Sequence, residues 1–213
     1  IEDIVNQVHC ADCLGVLRQM PDGCGDAVIT SPPYNLGNTT KGSHYGGKGK
    51  GLKIEYSLYD DNVSEKEYMS WQHEIINELY RIIKSKGVIY YVHKPRIIEG
   101  VYDSRRKLIP LPIRQEIIWD KGGMINFSGS FFAPNTERLF IIAKSEWKPD
   151  KRYLGMGEIW RIAPETNNPH PAPFPLKLVL RIINSSSFLN GLILDPFLGS
   201  GTTAVAAVQT GRR

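Results

Sequence analysis

Cysteine is scarce in this chain, long apolar runs are missing, and neither sign of charge dominates. The three cysteines, Cys10, Cys13 and Cys24, stand near the start of the 213 residues. An odd number with no secretory segment ahead of them argues against a disulfide framework and for a reducing, cytosolic setting. Cys10 and Cys13 have C-x-x-C spacing, but zinc needs a second ligand pair and His9 and Cys24 are wrongly spaced to supply it, so no metal is expected. The longest apolar stretches, 139–143 and 191–194, fall far short of the roughly 20 residues of a membrane helix, and no membrane partner is expected. The 26 basic and 22 acidic side chains leave a formal charge of +4, which permits a polyanionic partner without requiring one. With 41% hydrophobic and 23% charged residues, the composition is that of a folded globular chain and excludes disorder, collagen-like repeats and rods. The first residue is Ile1 rather than Met. The expectation is therefore a segment of something longer, its end at Arg213 equally artificial.

What is present is an alternation of short apolar runs with amphipathic stretches, the pattern of an α/β domain with a mostly parallel sheet. Residues 4–9, 26–30, 87–93, 114–120, 138–144 and 191–194 read as strands, being rich in Val and Ile and bounded by Gly, Pro or charge. A helix is predicted from Ser64, with Glu67 completing a capping box, to a turn at 84–87. Its apolar face is Tyr68, Trp71, Ile75, Leu79, Ile82 and Ile83, spaced as a core stripe. A second helix should start at Pro175, and a third should follow Gly201 to Gly211. Residues 36–53 hold six glycines, four lysines and no acid, a composition suited to a mobile basic loop. Residues 1–213 are expected to form one domain.

Two segments carry the chemical signal, each at the carboxyl end of a predicted strand, where open α/β sheets place ligands. In the first, Asp195 ends a strand and Pro196, Phe197, Leu198, Gly199, Ser200, Gly201 and Thr202 follow. The glycines allow a ligand close to the backbone, with the next helix's amides facing it. A phosphate loop is excluded because no Lys follows the glycines, and the near match at 42–49 has Gly where a hydroxyl belongs. In the second, Ser31, Pro32, Pro33 and Tyr34 follow a buried strand. The prolines free the carbonyls of Ser31 and Pro32 from ladder bonding, so hydroxyl, carbonyls and ring together suit a planar base carrying an exocyclic amine. Taken singly, Ser31 could cap a turn, Tyr34 could be a half-buried aromatic and Asp195 a helix cap; their conjunction points elsewhere.

Together the segments resemble S-adenosylmethionine-dependent DNA amino-methyltransferases, which modify cytosine N4 or adenine N6. The resemblance implies a Rossmann-like fold with helices on both faces of the sheet. Ser31-Pro32-Pro33-Tyr34 is similar to the family's catalytic motif, and 195–201 to its cofactor motif. His170 and the prolines up to Pro175 are similar to the segment that closes over the cofactor's methionine part. Asp12, placed at the end of the first strand, resembles the acid that holds the cofactor's adenine. The catalytic motif precedes the cofactor motif, as in the family's β group. Methylation of a ring carbon would need a cysteine nucleophile, and no cysteine here follows a proline in a suitable turn, which excludes the cytosine-C5 type.

The resemblance further implies double-stranded DNA as partner, a cytoplasmic, nucleoid-associated place in a prokaryote or phage, and membership of a restriction-modification system. The interval 145–168 is too short for an independent recognition domain. Phosphate contacts are therefore expected from Lys41, Lys48, Lys50 and Lys53 in the basic loop, from Arg105 and Arg106, or from the second subunit of a homodimer. Alternatives of the same fold are an RNA or protein-amide methyltransferase and a non-catalytic DNA-binding subunit.

Overall fold

The computed structural model of the chain describes residues 5–35, 62–123, 132, 134–166, 168, 170 and 172–213. Lys41, Lys48, Lys50 and Lys53, with the rest of the basic stretch 36–53, lie outside them. Along the chain run α1 (Cys13–Gln19), β1 (Gly25–Thr30), α2 (Glu65–Ile82) and β2 (Ile83–His93), then a hairpin of β3 (Arg96–Ile98) and β4 (Val101–Asp103). After them come β5 (Gln115–Asp120), β6 (Thr136–Ala143), β7 (Ile159–Arg161), α3 (Leu176–Ser186), β8 (Ile193–Leu194) and α4 (Thr202–Gln209).

Six strands form one sheet in the order β7-β5-β6-β2-β1-β8. β6 runs against both its neighbours, while β5–β7, β2–β1 and β1–β8 pair in parallel, so the sheet is mixed but mostly parallel. Strand alternation sends successive residues to opposite faces, which splits the core in two. Ala27, Ile29, Val88, Tyr90 and Val92 face α3 and α4, whereas Val28, Ile89 and Tyr91 face α1 and α2. Helices therefore cover both faces, as the sequence pattern requires.

The predicted capping box of α2 is present: the Glu67 amide donates to Ser64 Oγ at 3.2 Å and the Ser64 amide to Glu67 Oε2 at 3.1 Å. The expected turn after it is not. α2 runs straight into β2, and residues 84–87 become a bulge between the pairings Gly25 with Ile83 and Ala27 with Val88. The chain doubles back so tightly there that a Cβ on Gly87 would lie 2.6 Å from the Ile83 Cβ. Pro175 caps α3 and Gly201 caps α4, both as expected.

Three further expectations are corrected. Residues 5–9 form no strand, and Asp12 does not end one: its carboxylate caps α1, accepting from the Gly15 amide at 2.7 Å. An Asp before a helix satisfies otherwise unpaired amides, and that local use prevails. The interval 145–168, expected as a short recognition insert, is partly sheet, because β7 within it pairs with β5. Arg105 is not a surface cation: it is 0% exposed, in a left-handed conformation at φ 66°, with Nη1 on Glu65 at 2.7 Å and on Asp103 at 3.3 Å. A guanidinium paired inside the protein cannot reach a phosphate, so this DNA contact is withdrawn; Arg106 beside it is exposed.

Candidate active site

β1 and β8 are parallel neighbours with Val28 opposite Leu194, so Ser31 and Asp195 emerge at the same edge of the sheet. The Thr30 hydroxyl donates to Asp195 Oδ1 at 3.0 Å, joining two segments 165 residues apart in sequence. The other carboxylate oxygen accepts from the Thr203 hydroxyl at 2.8 Å, and Oδ1 also accepts from the Phe197 amide at 3.1 Å. Asp195 thus ties the ends of both strands to the first turn of α4. Burial pushes its carboxyl up to about 6, against the hydrogen bonds from Thr203, Phe197 and Thr30, which favour the charged form.

Gly199 and Gly201 both lie at positive φ, 55° and 82°, where a side chain is strained. A Cβ on Gly199 would sit 3.1 Å from His170 Nε2, so the imidazole packs directly on this turn. His170 itself is shaped by Asn168, which accepts from its amide at 2.9 Å. In front of Gly201 a Cβ would meet nothing within 4 Å, which leaves open space at the start of α4. Ser200 and Thr202 are linked through their hydroxyls at 3.1 Å, and Phe197 packs edge-on against Trp71 of α2 with ring centroids 5.6 Å apart. Beside the turn, a cavity of about 320 Å³ is bounded by residues of the 5–13 stretch, by α1 and by α4, and touches Asp195, Pro196 and Leu198. Asp12, on the same stretch, is exposed at the head of α1.

The second turn is held by distant side chains. Tyr68 of α2 donates its hydroxyl to the Pro33 carbonyl at 2.7 Å and lies 3.1 Å from His93 Nε2. The His93 ring stacks on Tyr34 with centroids 4.4 Å apart, and burial drives its pKa down to about 3, so it is neutral at physiological pH. Ser31 Oγ donates to the Tyr34 hydroxyl at 2.8 Å, which donates in turn to Glu137 Oε2 at 3.1 Å. Burial, reinforced by the Glu137 charge, holds the Tyr34 phenol well above its usual range. Glu137 is also paired with Lys121. Beyond Tyr34, the Asn35 side chain clasps Val63, accepting from its amide at 3.0 Å and donating to its carbonyl at 2.9 Å.

Ser31, Pro32, Pro33, Tyr34, Asp195, Phe197 and the 199–202 turn are therefore brought to one edge, with His170 over it. Asp12 and Arg106 are not in contact with that group. Tyr68, His93, Lys121, Glu137, Thr30 and Thr203 were not legible as site residues. Tyr68 carried only the periodicity of a core stripe, and nothing around Glu137 marks it apart from any acid at a strand's start. The three cysteines are free; burial raises the thiol pKa of Cys13 to about 11 and also lifts that of Cys24, so neither is poised as a nucleophile.

Comparison with known proteins bears on the fold and the family. The chain is 27% identical to the type II methyltransferase M.BglII of Bacillus subtilis over 98% of its own length, and spans 64% of that relative. Among solved structures it superposes on the cytosine-N4-specific PvuII DNA methyltransferase with a TM-score of 0.75 at 21% identity, covering 96% of this chain and 78% of that one. The complex of M1.HpyAVI with SAM superposes with a TM-score of 0.61 at 20% identity, covering 97% and 90%. The family described as DNA methylase matches residues 26–213, a span that contains both turns. The chain therefore belongs to the N6/N4 DNA methylase family.

Proposed function

We propose that the chain is the catalytic domain of a DNA methyltransferase that places a methyl group from S-adenosylmethionine on an exocyclic amine, cytosine N4 or adenine N6, of a base turned out of the duplex. The observation that carries this reading is the Thr30–Asp195 bond, which sets an amine-accepting turn beside a glycine turn that opens onto free space.

The glycine turn fits the cofactor. Its two left-handed glycines, the space before Gly201 and the Phe197 ring offer a backbone-lined seat, and His170 closes it from above. Asp195 shapes that seat from inside, because both its oxygens are already engaged. Asp12 is assigned to the cofactor's far end. When bound, S-adenosylmethionine supplies a methyl group on a sulfonium, which is electrophilic enough to need little acid–base help. The protein's task is then orientation and exclusion of water. Ser31 Oγ and the Pro32 carbonyl accept the amine hydrogens, while Pro33, fixed by Tyr68, keeps the turn in register. Tyr34 stacks on the base.

Ser at position 31, rather than Asp or Asn, leans towards cytosine N4 by resemblance to the family alone, and the acceptors suit either amine. Lys41, Lys48, Lys50, Lys53 and Arg106 are assigned to phosphates, positioning duplex without reading its sequence. A second copy of the chain is a further source of such contacts. The order of the two motifs fits the β group of the family, and a cytoplasmic location follows from a DNA substrate. Among the described residues no helix is long and apolar enough to cross a membrane.

Nucleoside mass spectrometry of unmethylated DNA treated with the protein and labelled S-adenosylmethionine tests the reading. Labelled N4-methylcytosine or N6-methyladenine supports it and names the base. Label appearing only in RNA or protein, or cofactor binding without transfer, replaces it with one of the alternatives of the same fold.

A further inference from the structure

We propose that Glu137 is a positioning residue for Ser31 and acts through the Tyr34 hydroxyl. The inference rests on the reading of Ser31 as the acceptor of the amine hydrogens. A serine hydroxyl rotates and both donates and accepts, so by itself it is an ambiguous partner for an amine, which needs an acceptor. Asp and Asn present a side-chain oxygen with no such ambiguity. Ser31 attains the same state by committing its proton elsewhere.

The hydrogen-bond chain has one direction only. An ionised carboxylate can accept but not donate, so Glu137 Oε2 takes the proton of Tyr34 at 3.1 Å. The phenol oxygen is then an acceptor for Ser31 Oγ at 2.8 Å. Both protons are committed along the chain, and the lone pairs of Ser31 are left for the amine. Lys121 pairs with the other oxygen of Glu137, and the two side chains are 18% and 8% exposed. A charge at the end of a desolvated chain polarises each bond along it, which makes Ser31 Oγ a stronger acceptor than a free hydroxyl. Among the described residues, Tyr68 on α2, Tyr91 and His93 on β2 and Glu137 on β6 surround Tyr34, with Lys121 behind Glu137. Of these only Glu137 accepts its proton.

Two measurements on the full chain test the proposal. The first needs no ligand: ionisation of Tyr34 is followed by NMR in protein carrying tyrosine labelled at Cζ, with Tyr34→Phe assigning the signal. Glu137→Gln should bring the phenol pKa down, since the facing charge is gone. An unchanged titration overturns the relay whether or not the protein transfers methyl groups. The second is kinetic. Glu137→Gln should lower kcat about tenfold, the scale of one charge-assisted hydrogen bond, with the KM for DNA and the Kd for S-adenosylmethionine within about twofold. Tyr34→Phe should give a similar loss, and the double variant should be no worse than Tyr34→Phe alone. Multiplying effects overturn the proposal, because Glu137 would then act by another route. Adding Lys121→Met to Glu137→Gln removes the unpaired charge and should restore thermal stability but not kcat; recovery of kcat would make Glu137 a mere structural prop. That pair also serves if Glu137→Gln alone fails to fold. Wild-type protein inactive on DNA would refute the family chemistry, and the NMR result would still decide the relay.

Discussion

The Ser31–Tyr34 turn and the Asp195–Gly201 turn stand side by side, but they are held in different ways. The glycine turn is largely self-supporting: Asp195 accepts from Phe197 and Thr203 close by in sequence, and the Gly201 amide donates to the Leu198 carbonyl at 2.9 Å. The serine turn depends on residues far along the chain, with Tyr68 on Pro33, His93 under Tyr34, and Glu137 at the end of the hydroxyl chain. A ligand seat can be made from local backbone conformation. An acceptor with a chosen proton orientation needs partners from other elements.

The largest effect is expected where the long-range support is deepest. The Arg105 guanidinium lies over the Tyr68 ring, 5.4 Å from its centroid, and pairs with Glu65 and Asp103. Arg105→Ala should destabilise the fold by about 2–3 kcal/mol in urea melts, the scale of hydrogen bonds to charged groups, since Glu65 is partly exposed and keeps Arg96 while Asp103 keeps Lys107. Arg106→Ala should stay within about 0.5 kcal/mol in the same melts. Its effect should appear instead as a loss of about 0.9 from the log–log salt slope of DNA binding, the value of one phosphate contact.

Next in size is pH, to which the two turns should respond with opposite sign. The Asp195 carboxyl is raised from 3.8 to about 6, so its contribution to stability is full below about pH 4 and lost as pH rises to 6. His93 is lowered from 6.5 to about 3, so its contribution is full above 6.5 and lost as pH falls toward 3. Between pH 4 and 6 each should contribute a slope of up to about 1.4 kcal/mol per pH unit, of opposite sign. In urea melts across that window, Asp195→Asn should lose stability with acid more steeply than wild type, and His93→Asn less steeply.

Smaller effects separate the functions of the two turns. Gly199→Val places a branched side chain at φ 55° against His170, a strain of about 1–3 kcal/mol, and calorimetry should show lost S-adenosylmethionine affinity. Tyr34→Ala should leave that affinity intact while removing about 1–3 kcal/mol of base stacking, seen as reduced methyl transfer. Tyr68→Phe removes the hydroxyl that contacts both the Pro33 carbonyl and His93 Nε2, and should reduce kcat by about 1 kcal/mol equivalent. Were Gly199→Val to spare cofactor binding, or Tyr34→Ala to abolish it, the division of labour between the turns would be misassigned.

The sequence by itself determined the elements whose signals are local. Periodicity located β1, β2, β5, β6 and β8, the Ser64–Glu67 box located the start of α2, and the two motifs located both turns of the site. Local signals also misled: within the predicted strand 4–9, residues 5–9 form none, and Arg105, read from its charged neighbours, is buried. Short β7 and the β3–β4 hairpin were missed, since three residues cannot show a period.

Only the tertiary structure decided how the turns are joined and oriented. The Thr30–Asp195 bond exists because β1 and β8, far apart in the chain, became parallel neighbours. Tyr68 reads as one more member of a core stripe until the packing of α2 brings its hydroxyl to the Pro33 carbonyl. Glu137 reads as an ordinary acid until β6 pairs antiparallel to β2 and sets it against Tyr34. Backbone conformation is written in nearest neighbours, whereas the direction of a hydrogen bond depends on which distant group folding places at its other end.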